Sequence, residues 1–227
     1  MSRLRGPKAI RPDDDSHILL NRHLFGGHEK GGKTLDVDVS TLSLDWATVF
    51  NRSGKLALEI GFNRGVFLEE LAKREPTVNV LGIEIQRRFC WRLANLLAES
   101  EESPTNIRLL WADAKLVTTA LLKPNSVADI YINFPDPWWK KRHHKRRLVD
   151  TSYAAELVQI LAPGGEVWVK SDVKDIADEI YASLETQPAL ELSDAYLASD
   201  KPFTHREGKC VAQNMDIHRF RFKKRMV

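Results

Sequence analysis

The stretch richest in chemical possibility is Asn133-Phe134-Pro135-Asp136-Pro137-Trp138-Trp139, which runs directly into Lys140-Lys141-Arg142-His143-His144-Lys145-Arg146-Arg147. Proline fixes its own φ and restricts the residue before it, so the two prolines are expected to hold Asp136 in an extended, rigid presentation. A carboxylate held that way can orient a substrate and favour positive charge as it develops. The basic segment places six formal positive charges, Lys140, Lys141, Arg142, Lys145, Arg146 and Arg147, in eight positions. Like charges this dense repel one another unless a polyanion is present, and phosphates are the natural partner. A solvated face would not need a rigid Pro-Asp-Pro turn directly before it. His143 and His144, adjacent and set among cations, make poor metal ligands, and no metal is expected. Trp138 and Trp139 are open to either packing or stacking on a base.

Four further acids share a positional logic. Glu59 precedes a glycine turn, Gly61-Phe62-Asn63-Arg64-Gly65. Glu84, Asp113 and Asp172 each end or follow an apolar run. A dinucleotide fingerprint would read GxGxxG and would place a pyrophosphate at the helix start. Here the spacing is GxxxG, and the Glu59 carboxylate would repel a pyrophosphate. It suits a ligand with an ammonium or sulfonium group, which favours S-adenosylmethionine over a nicotinamide dinucleotide. Glu84, 25 positions after Glu59, is placed to accept from ribose hydroxyls. Asp113 could accept from an adenine amine. Any one of these acids could be a solvated turn; five on one edge would converge on one crevice.

The elements that must position them can be read from periodicity. Strands are predicted at 56–60, 78–83, 106–111, 127–133 and 166–171, with helices over 66–74, 89–97, 153–161 and 176–184 and a short one after Asp113. Pro163-Gly164-Gly165 stops the third long helix. The remainder, 190–222, reads as two weaker strands around a polar loop. Alternation of this kind predicts an α/β fold with a parallel sheet and helices on both faces. Ligands then bind beyond the carboxyl ends of the strands, where strand order reverses.

Composition bounds the rest. The 227 residues carry 34 Lys+Arg and 31 Asp+Glu, a formal +3, and 43% hydrophobic content. That argues against disorder, and no apolar run approaches the ~20 residues of a membrane span. Residues 1–45, with Gly26-Gly27 and Gly31-Gly32 among charges, read as an extension, partly flexible; 46–227 read as the main domain. Basic residues recur at Arg3, Arg5, Lys8 and Arg11, and again at Arg219, Arg221, Lys223, Lys224 and Arg225. Cys90 and Cys210 make no disulfide framework, so a cytoplasmic protein is expected. Trp168 alternates with Val167 and Val169, so packing is its expected role.

The chain resembles the bacterial tRNA (guanine-N7)-methyltransferases. The match rests on Glu59-Ile60-Gly61-Phe62, Leu81-Gly82-Ile83-Glu84 and Asp113-Ala114, and above all on Phe134 to Arg147. Downstream, Leu161-x-Pro163-Gly164-Gly165, Ser171-Asp172 and Thr204-His205-Arg206-Glu207 match as well. The resemblance implies a Rossmann-like class I methyltransferase with a mostly parallel seven-stranded sheet and an antiparallel final strand. It implies S-adenosylmethionine as methyl donor and tRNA as partner, with methyl transfer to N7 of a variable-loop guanine (position 46 in tRNA numbering). Glu59, Gly61, Glu84, Asp113 and Asp136 would bind the donor, Asp136 also being catalytic. Lys140, Asp172, Thr204, His205, Arg206 and Glu207 would bind substrate. Arg142, His143, His144, Lys145, Arg146 and Arg147 would contact RNA. A monomer or homodimer is expected.

Two departures stand out. Asn63 replaces the family's usual middle glycine, and the pattern after Glu207 is altered to Gly208-Lys209-Cys210-Val211-Ala212-Gln213-Asn214. Alternatives to this activity are another RNA or exocyclic-amine methyltransferase, a nicotinamide-dependent oxidoreductase, and an inactive RNA-binding module on the same scaffold.

Overall fold

The computed structural model describes residues 18–20, 44–194 and 196–226. The expected mobility of residues 1–45 and the basic Arg3, Arg5, Lys8 and Arg11 lie outside the described residues, save for 18–20, 44 and 45. The strands are β1 (Ile18–Leu20), β2 (Leu56–Ile60), β3 (Asn79–Glu84), β4 (Ile107–Trp111), β5 (Val127–Asn133), β6 (Leu161–Ser171), β7 (Leu190–Leu192) and β8 (His218–Lys224). They form one sheet in the order β1-β4-β3-β2-β5-β6-β8-β7. The five strands from β4 to β6 run parallel, and β8 is antiparallel to both β6 and β7. Strand order reverses between β2 and β5, so their carboxyl ends open the crevice where ligands are expected.

Every residue of β2 and β3 is buried, as expected of strands covered on both faces. Alternation then sorts the side chains. Leu58, Ile60, Leu81, Ile83, Ile130, Ile132, Val167 and Val169 form one core with α4 (Ala114–Ala120), α5 (Thr151–Ile160) and α6 (Lys174–Glu185). Ala57, Val80, Ile107, Leu109, Tyr131 and Trp168 form the other with α2 (Val66–Arg74) and α3 (Arg87–Glu99). Trp168 is a core residue, as its alternation predicts. Cys90 is buried within α3, and burial pushes its thiol up.

Four features differ from the sequence expectation. The seven predicted strands are joined by an eighth: Ile18–Leu20 of the N-terminal extension pairs parallel with β4. Three residues are too few to show a period. β6 begins at Leu161 rather than Glu166, because the chain bulges at Gly164 (φ +76) instead of breaking. A short helix, α1 (Trp46–Phe50), is capped by Asp45, whose carboxylate accepts from the Ala47 N–H at 3.1 Å. The polar loop expected between the last two strands contains α7 (His205–Ala212). The basic C-terminal cluster falls on strand β8 and the residue that follows it: Arg221, within β8, pairs with Glu166, and Arg225, just past it, with Glu191.

Candidate active site

The first loop rises from β2 into α2. Gly65, at φ +76, is the helix cap, and a Cβ there would lie 2.3 Å from Leu93 Cδ2. Only glycine fits that position. Gly61, at φ +79, is the opposite case: a Cβ would find nothing within 4 Å. Its backbone borders open space, as a ligand cradle requires. Asn63 also adopts a left-handed conformation (φ 49). Asparagine tolerates that region better than other non-glycine side chains, so the turn needs no glycine there. The Asn63 N–H donates to Glu84 Oε2 at 2.9 Å, and the Gln86 N–H donates to Glu84 Oε1 at 2.8 Å. Glu84 thereby ties the ends of two loops together.

Glu59 lies at the floor of the crevice, 2% exposed. Its Oε1 accepts from Asn133 Nδ2 at 3.0 Å, while Oε2 is buried without a partner among the described residues. An orphaned carboxylate oxygen is costly and calls for an explanation. Burial pushes the Glu59 carboxyl up to about 8, opposed by the Asn133 hydrogen bond and the Lys170 charge. Burial also raises Glu84, and the charge of Asp136 raises it further. Glu59, Glu84 and Asp136 therefore share one field, whose repulsion a cation would relieve. Asp113 caps α4, with Oδ1 accepting from the Lys115 N–H at 2.9 Å, and its Oδ2 has no protein partner among the described residues.

Asp136 is exposed at the mouth of this crevice. Phe134 (φ 51) and Trp138 (φ 45), both bulky residues in left-handed conformations, flank it. Such residues cost on the order of 1–3 kcal/mol each and persist only where surroundings enforce them. Here the Phe134 N–H donates to the Lys170 carbonyl at 2.7 Å, and Arg147 Nε donates to the Pro137 carbonyl at 3.2 Å. Arg147 also pairs with Glu179 on α6. Of the basic run, Arg147 is thus turned inward as a clamp. Lys141 to Arg146 form a 3-10 helix with no buried residue, presenting Arg142, His143, His144, Lys145 and Arg146 beside the exposed Lys140.

The remaining expected substrate residues sit together on the far side. Thr204 and Glu207 form a capping box on α7, with the Glu207 N–H donating to Thr204 Oγ1 at 2.9 Å. His205 and Arg206 are exposed in its first turn, and Arg206 pairs with Asp172 at the end of β6. Partial desolvation, and after it the charges of Arg64, Lys209 and Arg92, lower the His205 pKa. Glu207 itself is fully buried, accepting from Lys170 Nζ at 2.8 Å and from Arg219 at 2.8 Å. Burial alone would raise its carboxyl, but these two cations hold it below its ordinary value. Sequence reasoning missed Asn133, Lys170 and Arg219 as partners. One signal was present: Lys170 is a lone charge in the apolar run Val167-Trp168-Val169.

The strand order, the reversed β8 and the acid-lined crevice together define a Rossmann-like class I methyltransferase fold. Solved structures agree on the fold: the 16S rRNA methyltransferase KamB superposes with a TM-score of 0.56 at 15% identity, covering 79% of this chain and 92% of that one. The 16S rRNA (adenine(1408)-N(1))-methyltransferase of Catenulisporales acidiphilia gives 0.52 at 13% identity, covering 86% and 95%. The family model described as "Putative methyltransferase" matches residues 53–220. A tRNA (guanine-N(7)-)-methyltransferase of Thiobacillus denitrificans is 36% identical over 96% of this chain and 98% of its own length. A namesake from a Synechococcus species is 35% identical over 79% and 77%. The chain belongs to this family, that of the tRNA (guanine-N7)-methyltransferases. Among the described residues, no helix is long and apolar enough to cross a membrane.

Proposed function

We propose that the protein transfers a methyl group from S-adenosylmethionine to N7 of a variable-loop guanine, position 46, in tRNA. The observation that carries this reading is the place of Asp136. It stands on one strained loop between a crevice of buried acids and a solvated cationic helix. The first field suits a cationic methyl donor and the second an RNA backbone.

The residues present fit the donor. Glu59 Oε2 offers an unpartnered acceptor for an ammonium group, and Gly61 leaves room for close backbone approach. Glu84 is placed for ribose hydroxyls, and Asp113 Oδ2 for an adenine amine. Ile85, 61% exposed directly after Glu84, supplies an apolar surface for the adenine ring. When bound, the donor supplies an electrophilic methyl group on a sulfonium.

Guanine N7 has a lone pair and no proton, so no base is needed to activate it. The chain's task is alignment, and catalysis is chiefly by proximity. Asp136 orients the guanine and favours the positive charge that the base acquires. Asp172, Arg206 and His205 bound the substrate side, while Thr204 and Glu207 act by fixing the start of α7. Lys140, Arg142, His143, His144, Lys145 and Arg146 hold the RNA, with Arg147 acting as the clamp behind them. N7 lies on the major-groove edge, so the guanine must leave its tertiary pairing to reach the site.

Residues 46–227 would be the catalytic domain and 1–45 its extension. The two cysteines are free and buried, and the proposed compartment is the cytoplasm, with the protein a monomer or homodimer. The reading is tested by incubating the protein with labelled S-adenosylmethionine and unmodified tRNA. Label should enter the tRNA, and Asp136→Ala should prevent it without lowering the melting temperature. Equal labelling by both proteins would remove the role of Asp136.

A further inference from the structure

Two adjacent indoles follow Asp136-Pro137, and the structure treats them differently. Trp138 is packed: its ring meets His143 edge-on at 5.8 Å, and the Arg146 guanidinium lies over it at 5.1 Å. Trp139 is 71% exposed, the most exposed aromatic ring among the described residues. Trp138 itself has a left-handed backbone (φ 45). An indole left in water forgoes a large apolar burial, so core packing gives no reason for a tryptophan there. Its neighbours are Lys140 and Lys141, both exposed and without a carboxylate partner among the described residues. A flat π-face flanked by free cations, three positions beyond Asp136, is how proteins bind single-stranded nucleic acid: the ring stacks on a base and the cations take the phosphates. A lone ring is too small a patch for a membrane surface or an apolar protein face.

We propose that Trp139 is a stacking platform for an unpaired base beside the guanine presented to Asp136. The inference rests on the tRNA reading above and adds a contact outside the donor crevice. It is tested with Trp139→Ala and Trp139→Phe, the ring being exposed enough for either variant to fold. Unmodified tRNA binding is measured across a salt series, alongside S-adenosylhomocysteine binding. Trp139→Ala should weaken tRNA binding at least about fivefold, the lower end for one lost stack. The dependence on salt should not change, because no phosphate contact is lost. Trp139→Phe should stay within about twofold of wild type, since a phenyl ring also stacks. Binding of S-adenosylhomocysteine should match wild type in both variants. Unchanged tRNA affinity in Trp139→Ala would overturn the inference, as would a loss that comes with a smaller salt slope. Failure of the wild-type protein to bind tRNA at all would instead remove the reading on which it rests.

Discussion

The proposed contact between Glu59 and the donor's ammonium group predicts proton-coupled binding. The Glu59 carboxylate is buried, one oxygen is orphaned, and burial pushes the group up to about 8. A ligand ammonium at Oε2 needs the ionised form. At pH 6 only about 1% of ligand-free molecules carry it, which weakens the apparent affinity about 100-fold relative to full ionisation. Affinity should therefore rise close to tenfold per pH unit between pH 5.5 and 7.5, with nearly one proton released per ligand bound. The assay is titration calorimetry with S-adenosylhomocysteine, which keeps the ammonium, in buffers of different ionisation enthalpy. The window stays below the range of about 7.7–8.0 in which α-amino groups lose their charge. Glu59→Gln should bind more weakly at pH 7.5, show a flat profile and release no proton. A wild-type affinity independent of pH, or a Glu59→Gln variant that keeps the slope, would show that Glu59 does not receive the ammonium group. The same group affects stability with a definite sign. Its folded-state pKa lies above the ordinary 4.5, so its contribution is fully present below pH 4.5 and is lost as pH rises through about 8. The ligand-free melting temperature should fall over that span, and less so in Glu59→Gln.

Other consequences follow from particular contacts. Glu207→Ala strands Lys170 in the interior and should cost about 3–5 kcal/mol in denaturant unfolding, most of it recovered by adding Lys170→Met. Neutralising Lys141, Arg142 and Lys145 should reduce the salt slope of tRNA binding by up to ~1 each. Arg147→Ala should leave that slope nearly intact and instead lower turnover, because its guanidinium holds the Pro137 carbonyl and Glu179. Asp136→Asn should lower kcat with little change in S-adenosylhomocysteine affinity, measured by single-turnover kinetics and calorimetry. Gly65→Ala should melt well below wild type, since its Cβ would meet Leu93 in a left-handed backbone.

Much of the fold, and the gathering of the acids at one edge of the sheet, is legible in the amino-acid sequence. β2 and β5 have the bounds that their apolar runs predict, and the acids end on one edge because parallel strands all point the same way. The illegible parts share a cause: they depend on partners distant in sequence. Lys170 and Glu207 are 37 positions apart, and Glu59 and Asn133 are 74 apart. No local pattern announces such pairs. α7 is a different case, because Thr204 and Glu207 spell a capping box, a local helix-start signal hidden inside a motif expected to bind substrate. The structure also sharpens the meaning of the charge balance. The formal +3 contains six charges between Lys140 and Arg147, which leaves 3 − 6 = −3 for the rest of the chain. With Arg147 tied to Glu179, five of the six remain on the solvated side.

The central claim is the atom that receives the methyl group. Unmodified tRNA treated with the protein and labelled S-adenosylmethionine should become labelled, and mild reduction followed by aniline should cleave it at one variable-loop guanine. Only N7-methylation sensitises guanine to that cleavage. Label without cleavage would place the methyl group on another atom, and no label at all would contradict the account outright.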